Sequence, residues 1–218
     1  TPDLMPSDIT GTEVIAEDAA NGTRLMRFQP GPIFAHLVLA DEINRTPPKT
    51  QAALLEAMQE RRVTADGTSH VLSPVFTTIA TQNPIEYEGT YPLPEAQLDR
   101  FMLKVVIDYP TSLDERQMLG RYRDGLRIHD VDSLKIRPVT GGDEILKLRD
   151  SLKSVVAEDP MIAYISDIVR QTRDWSTISV GASPRAGISL LLIAKALASV
   201  RGRTFVIPDD VKSVSSAV

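Results

Sequence analysis

The sequence predicts an α/β domain followed by an all-helical region, and three observations carry that expectation. The run Leu37-Val38-Leu39-Ala40 is a short apolar segment that meets two carboxylates, Asp41-Glu42. A buried strand ending at the edge of a sheet reads this way. A second apolar segment, residues 76–80, stops in the same manner at the polar Thr81-Gln82-Asn83. Beyond residue 142 the strand patterns cease and only helical ones remain.

The elements follow in order. Residues 1–8 are rich in Pro, Asp and Ser and read as turns, and two short β segments, 12–15 and 25–28, flank a polar tip at 18–23. Together they predict a hairpin. After the strand at 37–40 a helix is expected from Pro47-Pro48, since a first helical turn tolerates proline. Ala53, Leu54, Ala57 and Met58 give that helix a core-facing stripe. A second hairpin is predicted at 62–72 around Asp66-Gly67, a strong two-residue turn signal. A Gly- and Pro-rich loop follows the strand at 76–80 and leads to a short helix near 95–100. Residues 102–107 read as a third strand, and Ser112 with Glu115 suggests a capping box that starts a helix to about residue 126.

Residues 128–142 turn polar and rich in Pro and Gly, which marks a linker. The expected domains are therefore a core at 1–127 and a helical domain at 143–218. In the latter, helices are predicted at 143–154, 160–173, 184–201 and 208–217. Pro160, Pro184 and Pro208 sit in their first turns, with Asp159 and Ser183 as N-caps of the middle two. Residues 188–197, apolar on nearly every face except Lys195, are expected to be buried.

Composition narrows the function classes. The 218 residues are 42% hydrophobic and 24% charged, with a net charge of −5 and a pI near 5.3, which argues against a general nucleic-acid or anionic-membrane binder. There is no cysteine, so thiolate metal sites and disulfides are excluded and a reducing, cytoplasmic setting is expected. His36, His70 and His129 have no metal-ligand spacing, and no apolar run approaches a membrane span of about 18 residues.

The chemistry-bearing residues are Asp41, Glu42, Asn83, Arg100 and Arg185. Each alone has a plain structural explanation as a solvated loop acid, a turn residue or a salt-bridge partner. Arg185, at a helix start, sits against the helix dipole and so calls for an anionic partner. In this order they supply carboxylates for a metal and a water, an amide to orient that water, and guanidiniums to spread charge. That is the equipment for cleaving a nucleoside triphosphate. No G-x-x-x-x-G-K-[ST] phosphate loop occurs within the 218 residues.

Ala40-Asp41-Glu42-Ile43-Asn44-Arg45, residues 49–61, Ala80-Thr81-Gln82-Asn83-Pro84, residues 88–101 and Gly181-Ala182-Ser183-Pro184-Arg185-Ala186 closely resemble the MoxR family of AAA+ ATPases. The resemblance implies a parallel P-loop-type sheet followed by a small helical lid. It implies that Asp41 is the Walker B aspartate holding Mg²⁺ with ATP, Glu42 the water-activating glutamate and Asn83 the first sensor. Arg100 would be the finger offered to the nucleotide of a neighbouring subunit, and Arg185 the second sensor on the lid. The hairpin at 12–28 resembles the family's helix 2 insert, and that at 62–72 the hairpin before the first sensor. A homo-hexameric ring is implied, with client proteins or a von Willebrand A-type protein as partners.

The family also places a first strand, the phosphate loop, a helix and a second strand ahead of Thr1. The chain is therefore expected to be a fragment with an incomplete sheet, unable to turn over ATP alone. Residues 102–107 would lack their neighbour, a gap to be closed by direct pairing with the remaining strands or by another chain. A non-catalytic assembly module is the alternative from another class, and a chelatase- or helicase-like motor a third. The acidic Asp66-Gly67 hairpin tip, without Lys, Arg or stacking aromatics, speaks against nucleic acid as substrate.

Overall fold

A computed structural model describes residues 3–17, 24–65, 67–83, 89–128, 134 and 136–218. The chain divides into two compact units, Thr1–Met102 and Leu103–Val218.

The first unit begins with a short helix, α1 (Pro6–Thr10), where the sequence suggested only turns. Pro6 opens it, and Asp8 reaches back so that the Met5 N–H donates to its Oδ2 at 2.7 Å, which satisfies an otherwise orphaned donor. Strands β1 (Gly11–Glu17) and β2 (Arg24–Pro30) form the expected antiparallel hairpin; its predicted tip at 18–23 lies outside the described residues. The second hairpin, β4 (Arg62–Ala65) with β5 (Thr68–Val71), is also as expected, with Gly67 at a positive φ of 81°; Asp66 of its turn is likewise outside the described residues. The two hairpins meet where the Phe28 ring stacks on the His70 imidazole, centroids 3.8 Å apart.

Strands β3 (Leu37–Ala40) and β6 (Thr77–Ala80) pair in parallel, Leu37 opposite Thr77 and Ala40 opposite Ala80. Alternation sends Val38, Ala40 and Ala80 into the core. There they meet Leu54, Leu55 and Ala57 of α2 (Pro48–Glu60) together with Ile33, Ile43, Val63, Leu72, Phe76 and Leu93. The fully apolar run at 37–40 suggested burial on both faces, but Leu37 and Leu39 are 60% and 64% exposed. The helix α2 ends at Arg61, whose backbone is left-handed with φ 56°; its guanidinium bonds the Phe76 carbonyl.

Residues 103–110 correct the sequence expectation of a third strand. They are irregular and without a ladder partner among the described residues, and Val105, Val106 and Ile107 are at least 73% exposed. A β-branched run becomes a strand only when a neighbour accepts its backbone hydrogen bonds. Here the Lys104 N–H instead donates to Ala217 O at 2.7 Å.

In the second unit, α4 (Ser112–Arg123) is capped by Thr111, not Ser112. Thr111 Oγ1 accepts from Asp114 N and donates to the Asp114 carboxylate. Helices α5 (Gly142–Ser151), α6 (Asp159–Asp174), α7 (Pro184–Val200) and α8 (Pro208–Val214) follow. Glu158 occupies the N-cap of α6 in place of the expected Asp159. Ser183 caps α7 as predicted, its Oγ accepting from Arg185 N at 3.0 Å. The core gathers Val155, Ile165, Val169, Leu190, Ala194, Ala198, Val206 and Val211. Only one face of α7 enters it; Ile188 is 60% exposed, contrary to the all-round burial its composition suggested.

This unit is locked by Asp210, which has no exposed surface. Its carboxylate accepts from Ile207 N at 3.0 Å, Arg201 Nη1 at 3.0 Å and Arg203 Nη1 at 2.7 Å. The Arg203 hydrogen bonds hold its pKa below the ordinary aspartate value, outweighing burial. Because the unfolded chain binds the proton more readily, this contribution is present at neutral pH. It is lost as pH falls below the usual aspartate range and through the depressed folded value. Asp210→Ala is expected to destabilise the second unit by about 2–3 kcal/mol at pH 7, with the deficit shrinking in acid; thermal unfolding of the variant across pH measures it.

Candidate functional site

The parallel register decides the site. With Ala40 level with Ala80, both chains leave the sheet at the same edge, and Asp41-Glu42 emerge beside Thr81-Gln82-Asn83. Open α/β sheets bind ligands at the carboxyl ends of their strands.

Thr81 joins the two segments through every polar group it has. Its N–H donates to Ala40 O at 3.0 Å and its carbonyl accepts from Ile43 N at 3.0 Å. Its hydroxyl donates to Asp41 Oδ1 at 2.6 Å and accepts from Glu42 N at 2.9 Å. Between these bonds Glu42 adopts φ 51° and ψ 50°, a left-handed conformation that costs a non-glycine residue roughly 1–2 kcal/mol. Such a conformation persists where its surroundings over-determine it, and it clusters at functional sites. The Glu42 carboxylate meets Arg45 Nε at 3.2 Å.

Behind Glu42 the chain is braced from α2. The buried Gln51 donates from Nε2 to Ile43 O at 3.0 Å and Tyr91 O at 2.9 Å, while Tyr91 N donates to Asn44 O. The 43–45 turn and the 89–93 loop are thus held to one another by the Gln51 amide and by a direct backbone hydrogen bond.

The five sequence-selected residues fall into three places. Asp41, Glu42 and Asn83 share the sheet edge; Asp41 is exposed, and Glu42 and Asn83 are half-buried. Arg100, exposed, follows α3 (Glu95–Leu98) in the same unit. Arg185 lies in the second unit, exposed in the first turn of α7. The segment before it is pinned to the end of α6: Ala182 N donates to Thr172 Oγ1 and Arg173 Nε donates to Ala182 O, each at 2.9 Å. Gly181 passes so close that a Cβ there would meet Arg173 Cα at 2.6 Å, so a side chain cannot replace its hydrogen without moving the helix. Thr81 and Gln51 were not singled out from sequence. The available signal for Thr81 was a hydroxyl placed one residue past a strand end, level with an acid.

The donor set suits Mg²⁺ brought with a nucleotide. Asp41 commits Oδ1 to Thr81, and its Oδ2 has no protein partner among the described residues. Magnesium takes one or two carboxylates and completes its shell with phosphate and water oxygens. No cluster of three or more His, Cys, Asp or Glu among the described residues could hold a metal alone.

Both units contain domains found in known proteins. Residues 1–103 match the profile of the ATPase family associated with various cellular activities (AAA), and residues 170–218 match the AAA lid domain. A crystallised Cytophaga hutchinsonii protein assigned as an ATPase superposes with a TM-score of 0.87 at 37% identity, over 100% of this chain and 66% of its own. Fold and matched domains together define an AAA+ ATPase, with a parallel sheet and a helical lid. The chain is 45% identical over 97% of its length to the uncharacterized protein YeaC of Bacillus subtilis, and 40% identical over 98% to chaperone MoxR1 of Mycobacterium tuberculosis. It is 28% identical to protein MoxR of Paracoccus denitrificans. It belongs to the MoxR family. The chain spans 63% of YeaC and 56% of MoxR1. No helix among the described residues is long and apolar enough to cross a membrane.

Proposed function

We propose that this chain carries the hydrolytic edge and the lid of a cytoplasmic MoxR-type ATPase that cleaves ATP to ADP and phosphate. The domain division we favour remains core 1–127, linker 128–142 and lid 143–218. One observation supports the reading above others: the parallel register of β3 and β6, which sets Asp41 and Glu42 beside the segment bearing Asn83.

In this scheme Asp41 would hold a magnesium ion brought with the nucleotide, and that ion would supply charge neutralisation at the phosphates. Glu42 accepts the proton of the attacking water, and the Asn83 amide orients that water. Arg100 faces the nucleotide of the next subunit in a ring, hexameric by family resemblance, where a guanidinium stabilises charge on the transferring phosphoryl group. Arg185 contacts the phosphates from the lid, so loss of the γ-phosphate removes its partner and releases the α7 end to move. The work so driven is remodelling of client proteins or maturation of a metal cofactor, with a von Willebrand A-type protein as a partner.

Magnesium-dependent ATP turnover by the protein as its gene encodes it tests the proposal, and a purified, assembled protein without turnover refutes it. Residues 1–218 expressed alone are expected to show no turnover. They contain no phosphate loop, whose backbone N–H groups and lysine grip the β- and γ-phosphates.

A further inference from the structure

We infer that Thr81 is a positioning residue for hydrolysis: its hydroxyl clamps the Asp41 carboxylate and the Glu42 backbone in the geometry the reaction needs. This rests on the ATPase reading and adds a residue to it. One oxygen atom performs both tasks, donating its proton to Asp41 Oδ1 at 2.6 Å and accepting from Glu42 N at 2.9 Å. The two bonds are mutually dependent. A hydroxyl that gives its hydrogen to a carboxylate becomes a better acceptor for the neighbouring amide.

The consequence reaches both acids. Asp41 is exposed, so without the Thr81 hydrogen bond its carboxylate is free to rotate between rotamers. With it, one oxygen is fixed and the other is left for a cation. Glu42 stays left-handed because its own N–H and that of Ile43 are both held by Thr81, the first by the hydroxyl and the second by the carbonyl. Loss of the hydroxyl removes one of those two restraints and lets Glu42 relax toward commoner backbone angles, which carries its carboxylate away from its place. Thr81 also lies two residues before Asn83, so the clamp ties the amide-bearing segment to the acid-bearing one across the strand pair.

The test compares Thr81→Val, which keeps shape and loses the hydroxyl, with Thr81→Ser, which keeps the hydroxyl, in the protein as its gene encodes it. Amide hydrogen exchange at Glu42 is the readout that needs no catalysis. Thr81→Val is expected to speed it about tenfold or more, because the amide loses its acceptor, while Thr81→Ser holds it near the parent rate. In the ATPase assay Thr81→Val is expected to lower kcat roughly 10- to 100-fold with little change in KM for ATP, and Thr81→Ser to restore most of the loss. Should Thr81→Val fail to fold, Thr81→Ala is read in the same way. Unchanged Glu42 exchange in Thr81→Val overturns the clamp. Faster exchange with unchanged kcat overturns its part in hydrolysis. Failure of the underlying ATPase reading is distinguishable, because the parent protein would then show no ATP turnover while the exchange contrast between Val and Ser persisted.

Discussion

Glu42→Gln is expected to lower ATP turnover by about 10²–10⁴-fold, the usual contribution of a positioned general base, with nucleotide affinity unchanged. The substitution is close to isosteric, so the left-handed turn and the Thr81 hydrogen bond to the backbone at position 42 should survive it. What disappears is the ability of the side chain to accept a proton from water. The Arg45 contact at 3.2 Å is weakened as well, but both side chains are about two-fifths exposed. Such surface pairs contribute about 0–1 kcal/mol, too little to unfold the unit. A fall in kcat with constant KM and an unchanged melting temperature would therefore report the loss of a proton acceptor. Unfolding of the variant, or a rise in KM with kcat intact, would assign Glu42 a structural or binding role. Steady-state kinetics together with nucleotide-binding titration separates these cases.

How much of this was legible beforehand follows the range of the physics. Features set by neighbouring residues were readable: Pro48 opening α2, Ser183 capping α7, and the two hairpins with their alternating strands. The acid pair at the end of an apolar run and the asparagine past a second one pointed to one sheet edge, and the observed β3–β6 pairing places both segments there. Features set by partners distant in sequence were not readable. Residues 102–107 have strand composition and no strand, since that depends on a neighbour rather than on propensity. The one-sided exposure of Leu37 and Leu39, and of Ile188 on α7, depends on which faces other elements reach. The Thr81 clamp spans 40 residues to Asp41 and exists only in the one register that sets Ala40 against Ala80. The left-handed Glu42 carries no sequence mark, because glycine and asparagine are the residues that advertise such angles. Caps slipped by one residue, Thr111 for Ser112 and Glu158 for Asp159. Adjacent polar residues compete for that position, and the choice falls to the incoming backbone direction.

Arg100→Ala is expected to have the largest effect, a loss of roughly 10³–10⁵ in turnover, the range that arginine fingers supply to phosphoryl transfer. Its placement is what makes the loss specific. Arg100 is exposed just beyond α3, so its removal leaves no buried group unpaired and the first unit should melt as before. Lysine should rescue poorly, because a point charge lacks the planar fork that engages two phosphate oxygens at once. The decisive observation is complementation. If Arg100 serves the site of the adjacent subunit, a ring mixing Arg100→Ala with Glu42→Gln contains some interfaces at which an intact Glu42 meets an intact Arg100. In a head-to-tail ring with random mixing of equal amounts, about a quarter of the interfaces are complete. The mixture should then recover activity that neither variant has alone. A finger acting within its own subunit predicts no recovery, since every site would lack one group or the other. Mixing followed by reassembly and an ATPase assay therefore decides whether the arginine works between subunits.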